Sequence, residues 1–151
     1  MTKTIPTRIL AIDHGAARIG LAISDERKII ATPLPTLLAE KKTEATITKL
    51  LQILEAYQQE HHCSLEAIIV GMPLKMNGKI GLQADEVQHF MDVLSSKTSI
   101  PIIPWDERLT TVLAERSLRE SNMSRKKRSK VIDSVASVLI LQSYLDLLGG
   151  R

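Results

Sequence analysis

Three acidic residues stand where this chain should be apolar or structural, and oxygen chemistry is the first clue to function. Asp13 closes the apolar run Ile9–Ile12. In an open α/β sheet, ligand chemistry gathers at the C-terminal end of a central strand. An Asx-turn through His14 and Gly15 explains the same residue equally well. Asp133 lies in Val131-Ile132-Asp133-Ser134-Val135-Ala136, early in the most apolar helical stretch of the sequence. A lone carboxylate there is costly unless it is paired or binds a cation. Its structural alternative is the positive end of the helix, worth roughly 0.3 to 1 kcal/mol.

Asp106-Glu107-Arg108 follows Trp105 at the end of another predicted strand, and alternation lets only one of its acids share an edge with Asp13. Asp106 suits a helix N-cap, with Thr110 and Thr111 in the first turns, which leaves Glu107 to act. If Asp13, Glu107 and Asp133 converge, their repulsion requires a divalent cation. Hard oxygen ligands without a usable Cys/His set point to Mg²⁺ or Mn²⁺.

A basic run supplies the substrate class. Arg125, Lys126, Lys127, Arg128 and Lys130 have no acid among them and precede the helix of Asp133. Such a run ordinarily marks a solvated surface loop, but beside a carboxylate site it is placed to hold a polyanion. Phosphodiester hydrolysis needs both features; in its two-metal form, ions roughly 3.5 to 4 Å apart activate water and stabilise the leaving oxygen. Other candidates are weaker. His61-His62-Cys63 offers adjacent side chains at a helix end and no fourth zinc ligand. The loop Gly71 to Gly78 lacks the Lys-Ser/Thr ending of a P-loop. Ser24, Ser95 and Ser134 have no nucleophile setting.

The elements that must position these residues follow from periodicity. Ile9–Ile12, Arg18–Ser24 and Lys28–Ala31 read as consecutive strands with tight connections. Thr43–His61 carries Ile47, Leu50, Leu51, Leu54 and Tyr57 at helical spacing. Ala67–Val70 reads as a buried strand followed by a glycine-bearing loop to Gly81, Ala84–Leu94 as a helix, and Ile100–Trp105 as the last strand. Leu109–Glu120 reads as a third helix, Asn122–Lys130 as a polar basic segment, and Val131–Leu148 as a helix buried on more than one side. The order implies a mixed sheet with an antiparallel start and parallel crossovers later.

Composition narrows the class. At 151 residues, with 44% hydrophobic and 25% charged residues, residues 1–151 read as one globular domain. Aromatics are 3%, so nucleic acid would be held by charge rather than by a stacking platform. Lys plus Arg total 20 against 17 acids, a mild excess whose placement matters more than its sum. A single cysteine, the absence of an apolar leader and the absence of a spanning run predict a cytoplasmic protein without a membrane partner.

Four segments, in order and over nearly the whole chain, resemble the YqgF family of pre-16S rRNA nucleases, also described as Holliday junction resolvase-like. They are Ile12-Asp13-His14-Gly15-Ala16-Ala17-Arg18-Ile19-Gly20 through Asp25; Val70-Gly71-Met72-Pro73-Leu74 with Asn77-Gly78; Trp105-Asp106-Glu107-Arg108-Leu109-Thr110-Thr111; and Ser124-Arg125-Lys126-Lys127 with Ile132-Asp133-Ser134-Val135-Ala136 and Ile140–Leu145. The resemblance implies an RNase H-like α/β fold, a mixed five-stranded sheet in the order 3-2-1-4-5 with strand 2 antiparallel, flanked by helices. It also implies a cytoplasmic nuclease that trims the 5′ end of pre-16S rRNA. The family's acidic residues fall on Asp13, Glu107 and Asp133, the three singled out above; Asp106 and Arg108 are expected to support them, and Arg18, Arg125, Lys126, Lys127, Arg128 and Lys130 to contact nucleic acid. Two positions depart from the pattern: Ala17 stands where a Lys is expected, which bears on phosphate contact, and Ser137 replaces an Ala, which bears on packing.

Nucleic acid is thus the expected partner, as an rRNA precursor or branched DNA. The competing readings are a Holliday junction DNA resolvase-like endonuclease, which would need a dimer to cut symmetrically, and a catalytically weak nucleic-acid-binding module. The expected assembly is a monomer or weak homodimer. A sugar-kinase-like ATPase needs two such domains, and 151 residues supply one.

Overall fold

Large and small side chains alternate along the first two strands, and a strand sends successive side chains to opposite faces. The computed structural model describes residues 4–73, 82–106 and 125–149, apart from the side chains of residues 82 and 125–134. In it β1 (Thr7–His14) turns Leu10 and Ile12 to one face of a sheet and Ile9 and Ala11 to the other. β2 (Arg18–Ser24) repeats the division, with Ile19, Leu21 and Ile23 against Ala22. There follow β3 (Ala31–Leu38), α1 (Thr43–His61), β4 (Ser64–Met72), α2 (Leu82–Lys97), β5 (Ile102–Asp106) and α3 (Arg125–Leu148).

The five strands lie in the order β3-β2-β1-β4-β5. β2 is antiparallel to both β1 and β3, whereas β4 runs parallel to β1 and β5. This is the mixed sheet expected above. Ile47, Leu50 and Leu54 of α1, with Val87, Phe90, Met91 and Leu94 of α2, cover the face with the large side chains. Each such buried side chain contributes about 1.5 to 3 kcal/mol. α3 covers the other face, where Ala136, Ile140, Leu141 and Leu145 meet Ile9, Ala11, Ala22, Ala67 and Ile69. Among the described residues no helix is long and apolar enough to cross a membrane.

The structure revises three expectations. The third strand runs from Ala31 to Leu38, not from Lys28 to Ala31. Asp25 accepts the N–H groups of Ile29 and Ile30 at 2.7 and 2.9 Å, and Lys28 sits at φ 58°, so the apolar pair belongs to a turn. Pro33 and Pro35 disguise the true strand and are tolerated because β3 is an edge. The basic run, expected in a loop, is helical from Arg125 onward; Lys and Arg are good helix formers. Among its described side chains, α3 is fully buried along one stripe, Ala136, Ser137, Ile140, Leu141 and Leu145, rather than on several sides. The helix expected over 109–120 and the loop residues 74–81 lie outside the described residues.

Candidate functional site

Asp13 is the penultimate residue of β1 and half-buried. Its side chain follows Ile9 and Ala11 onto the α3 face. Gly20 of β2 is its cross-strand partner. On the other side Ile12 pairs with Val70, so Gly71 of β4 is the next residue along, and Gly71 in turn pairs with Trp105 of β5. Asp13 is therefore bordered by two strands that carry no side chain at its level. The hairpin that follows is equally tight: the N–H of Gly15 donates to Arg18 O at 2.9 Å, and a Cβ at Gly15 would lie 2.5 Å from that oxygen.

Two hydrogen-bonded anchors fix α3 over this face. Gln142 accepts the Ala31 N–H at 3.0 Å and donates to Ile29 O at 2.8 Å, which ties the helix to the start of β3. Trp105 Nε1 donates to Ser143 Oγ at 3.0 Å, and the Trp105 and Tyr144 rings meet edge-on at 5.4 Å. The start of β3 is the end of the sheet remote from Asp13. Leu147 and Leu148 are exposed, and Ala136 to Leu145 supply the stripe buried on the sheet. Gln142 thus reaches the β3 edge at the remote end of the sheet and Ser143 reaches β5 near the level of Asp13, so α3 lies across the face between these two points. Position 133 lies three, four and seven residues before Ala136, Ser137 and Ile140, so its backbone extends that stripe by one turn.

The remaining expected residues divide as follows. Trp105 shares the Asp13 face, whereas Asp106 pairs with Met72 and lies on the opposite one. Arg18, by alternation with Gly20 and Ala22, lies on the Asp13 face at the start of β2. Glu107 and Arg108 lie outside the described residues. Arg125, Lys126, Lys127, Arg128 and Lys130 are placed as helical backbone of α3, as is Asp133. Among the described residues no group of three or more His, Cys, Asp or Glu side chains is placed to hold a metal ion; two of the three expected ligands, Glu107 and Asp133, are not among those side chains. His61, His62 and Cys63 go separate ways: His61 stacks on Tyr57 at 4.1 Å, His62 caps α1 at φ 51°, and Cys63 is buried.

The sequence reading passed over His14. Alternation turns it from Asp13 to the α1/α2 face, where its ring lies 4.8 Å from Phe90. Burial holds its imidazole below the usual value, against an opposing pull from Glu86. Its neighbours come from α1 and α2, so no local motif announces it.

The family model described as RuvX: Holliday junction resolvase matches residues 7–147. A protein of Protochlamydia amoebophila (strain UWE25) named "Putative pre-16S rRNA nuclease" is 58% identical over 144 residues, 95% of this chain and 96% of that one. One of the same name from Geobacillus sp. (strain WCH70) is 42% identical over 140 residues, 92% of this chain and 97% of that one. Thermus thermophilus RuvC in complex with a Holliday junction substrate superposes with a TM-score of 0.51 at 11% identity, covering 95% of this chain and 96% of that one. The fowlpox virus Holliday junction resolvase does so at 0.51 and 13%, covering 93% and 99%. Both share the RNase H-like fold seen here.

Proposed function

The chain belongs to the RuvX family, and from that premise we propose that it is a metal-dependent nuclease that processes the 5′ end of pre-16S rRNA. The observation that carries this reading is the setting of Asp13, a half-buried carboxylate between two glycine-bearing strands, on the face that α3 covers. Asp13, Glu107 and Asp133 would hold Mg²⁺ or Mn²⁺; the donors are hard oxygens, and Gly20 and Gly71 leave room beside Asp13 for a hydrated ion. Bound there, a divalent cation supplies an activated water and stabilises the leaving oxygen.

The chain's own residues do the rest. Arg18, on the Asp13 face, and the basic turns of α3 hold the phosphates of a structured RNA. Helical positions 126, 130 and 133 follow one another by four and three residues, so Lys126 and Lys130 share a stripe with Asp133. Asp106 and Arg108 orient the residue between them. Residues 1–151 form a single domain that works in the cytoplasm as a monomer or weak homodimer. The family description favours one rival, cleavage of a four-way DNA junction.

The test sets a labelled rRNA precursor fragment beside a four-way DNA junction, each with wild-type protein or Asp13→Asn, in Mn²⁺ or EDTA. RNA cleavage that needs metal and falls about a hundredfold or more in the variant is expected. Cleavage of the junction alone would replace the processing reading with the resolvase, and binding of both without cleavage would leave a binding module. Lys126→Ala with Lys127→Ala should flatten the salt dependence of binding by roughly one log-log unit per lost phosphate contact.

A further inference from the structure

We propose that a cavity on the far side of β1 from Asp13 seats one unpaired nucleotide next to the phosphate being cut, with guanine preferred; the inference rests on the nuclease reading above. The cavity measures about 300 Å³ and lies where the end of β1 meets the start of α1 and the middle of α2. That is the low end of the range of ligand pockets, large enough for one nucleotide and too small for a duplex.

Its lining is polarised. The half-buried His14, with the buried Phe90 4.8 Å from its ring, gives it an aromatic wall. Lys41 stands on the α1 side and Glu86 on the α2 side. Two other polar neighbours are already engaged. Glu40 accepts Lys49 Nζ at 2.8 Å, and the Thr46 hydroxyl accepts the Glu40 N–H while donating to Lys42 O. Glu86 makes no ion pair among the described residues. A fitting ligand therefore has an anionic end for Lys41 and a flat ring with N–H donors for Glu86.

A nucleotide has both ends, and the carboxylate selects among bases. Ionised Glu86 only accepts hydrogen bonds. Guanine presents two adjacent N–H donors on its pairing edge, whereas uracil presents one between two carbonyls that repel a carboxylate. Reading an extruded base by its pairing edge and an aromatic wall is a general device of enzymes acting on nucleic acid. The location fits as well. His14 follows Asp13, their Cα atoms about 3.8 Å apart, and their side chains leave opposite faces of the strand. An RNA strand crossing this end of the sheet would present a phosphate to one face and the next base to the other.

The test needs no turnover. With EDTA present, the His14 and His89 ring protons are followed by NMR during titration with guanosine 5′-monophosphate, uridine 5′-monophosphate, guanosine and inorganic phosphate. The guanine nucleotide should shift both rings saturably and bind tightest. Lys41→Ala should weaken it about tenfold, toward guanosine, and Glu86→Ala should erase its lead over the uracil nucleotide. Ala39→Trp, which fills the cavity, should abolish the shifts at an unchanged unfolding temperature; if that variant does not fold, the Glu86→Ala comparison decides. Equal response to both nucleotides, a phosphate response as strong as either, or no response would overturn the proposal. A protein that passes this test yet cuts nothing would keep the cavity and lose the nuclease reading.

Discussion

The two faces of the sheet are built to different rules. Toward α1 and α2 the strands offer Leu10, Ile12, Ile19, Leu21, Ile23, Ile68 and Val70, and the helices answer with Leu, Val and Phe. Toward α3 they offer Ala11, Ala22 and Ala67 around Ile9 and Ile69, and three hydrogen bonds through Gln142 and Ser143 do part of the holding. The first face gains stability from buried volume. The second gives up volume where α3 packs on the sheet, and directional bonds replace part of the lost packing and fix where that helix sits. On the nuclease reading proposed above, cleavage would belong to the α3 face and most of the buried volume to the other.

If this division holds, damage to the two faces should be separable. Leu50, fully buried under the α1/α2 layer, should lose about 2 to 5 kcal/mol on conversion to Ala. Denaturant unfolding would register that loss, while cleavage measured well below the unfolding transition should stay near wild type. Overpacking the other face should reverse the pattern. Ala22→Leu forces a large side chain beneath α3 and should cost about 1 to 3 kcal/mol, with cleavage lost under conditions where circular dichroism still reports a folded protein. If Leu50→Ala abolished activity and Ala22→Leu spared it, the assignment of chemistry to the α3 face would be wrong.

The smallest effect should come from a contact outside both layers. β1 and β4 slip register where Thr7 and Arg8 pair with Ser64 and Leu65 but Ile9 pairs with Ala67, so Glu66 bulges out of the ladder. Its carboxylate accepts Lys28 Nζ at 2.8 Å and the Thr7 hydroxyl at 2.9 Å. The bond from Lys28 holds it below the usual carboxylate value. A group whose native pKa is lowered stabilises the fold above its unfolded pKa, about 4.3 for Glu, and loses that contribution as pH falls through the lowered native value. Half-exposed, the pair should be worth less than about 1 kcal/mol. The stability gap between wild type and Glu66→Gln should therefore be present at pH 7 and close in strong acid; a gap that widened in acid would reverse the sign.

Much of this architecture is legible in the residues. The large-small alternation of Ile19-Gly20-Leu21-Ala22-Ile23 marks a strand buried on unequal faces, and the stripe Ile47, Leu50, Leu54 marks α1. β3 is hidden because Pro33 and Pro35 mean "not a strand" everywhere except at an edge, and edge position is a property of the finished sheet. The basic turns of α3 are hidden for a related reason: charge suggests solvent, and solvent suggests a loop, although Lys and Arg favour a helix. Asp13 could be singled out by its place after an apolar run. His14 could not, because what distinguishes it is the company of Glu86, Phe90 and Lys41 from two other elements.

The bond between Ala31 and Gln142 joins residues 111 positions apart, and the one between Trp105 and Ser143 ties the same helix to β5. Both arrive with α3, the last described element to leave the ribosome. The strands and α1 can assemble before α3 is made, but the helix that carries Asp133 docks only after residues 125–148 have emerged, since non-local contacts form late. A nascent chain would therefore carry a partly built sheet with Asp13 uncovered and no partner acid from α3. For a proposed nuclease emerging from a machine made largely of RNA, this order of assembly would keep the proposed site incomplete until α3 has emerged and docked.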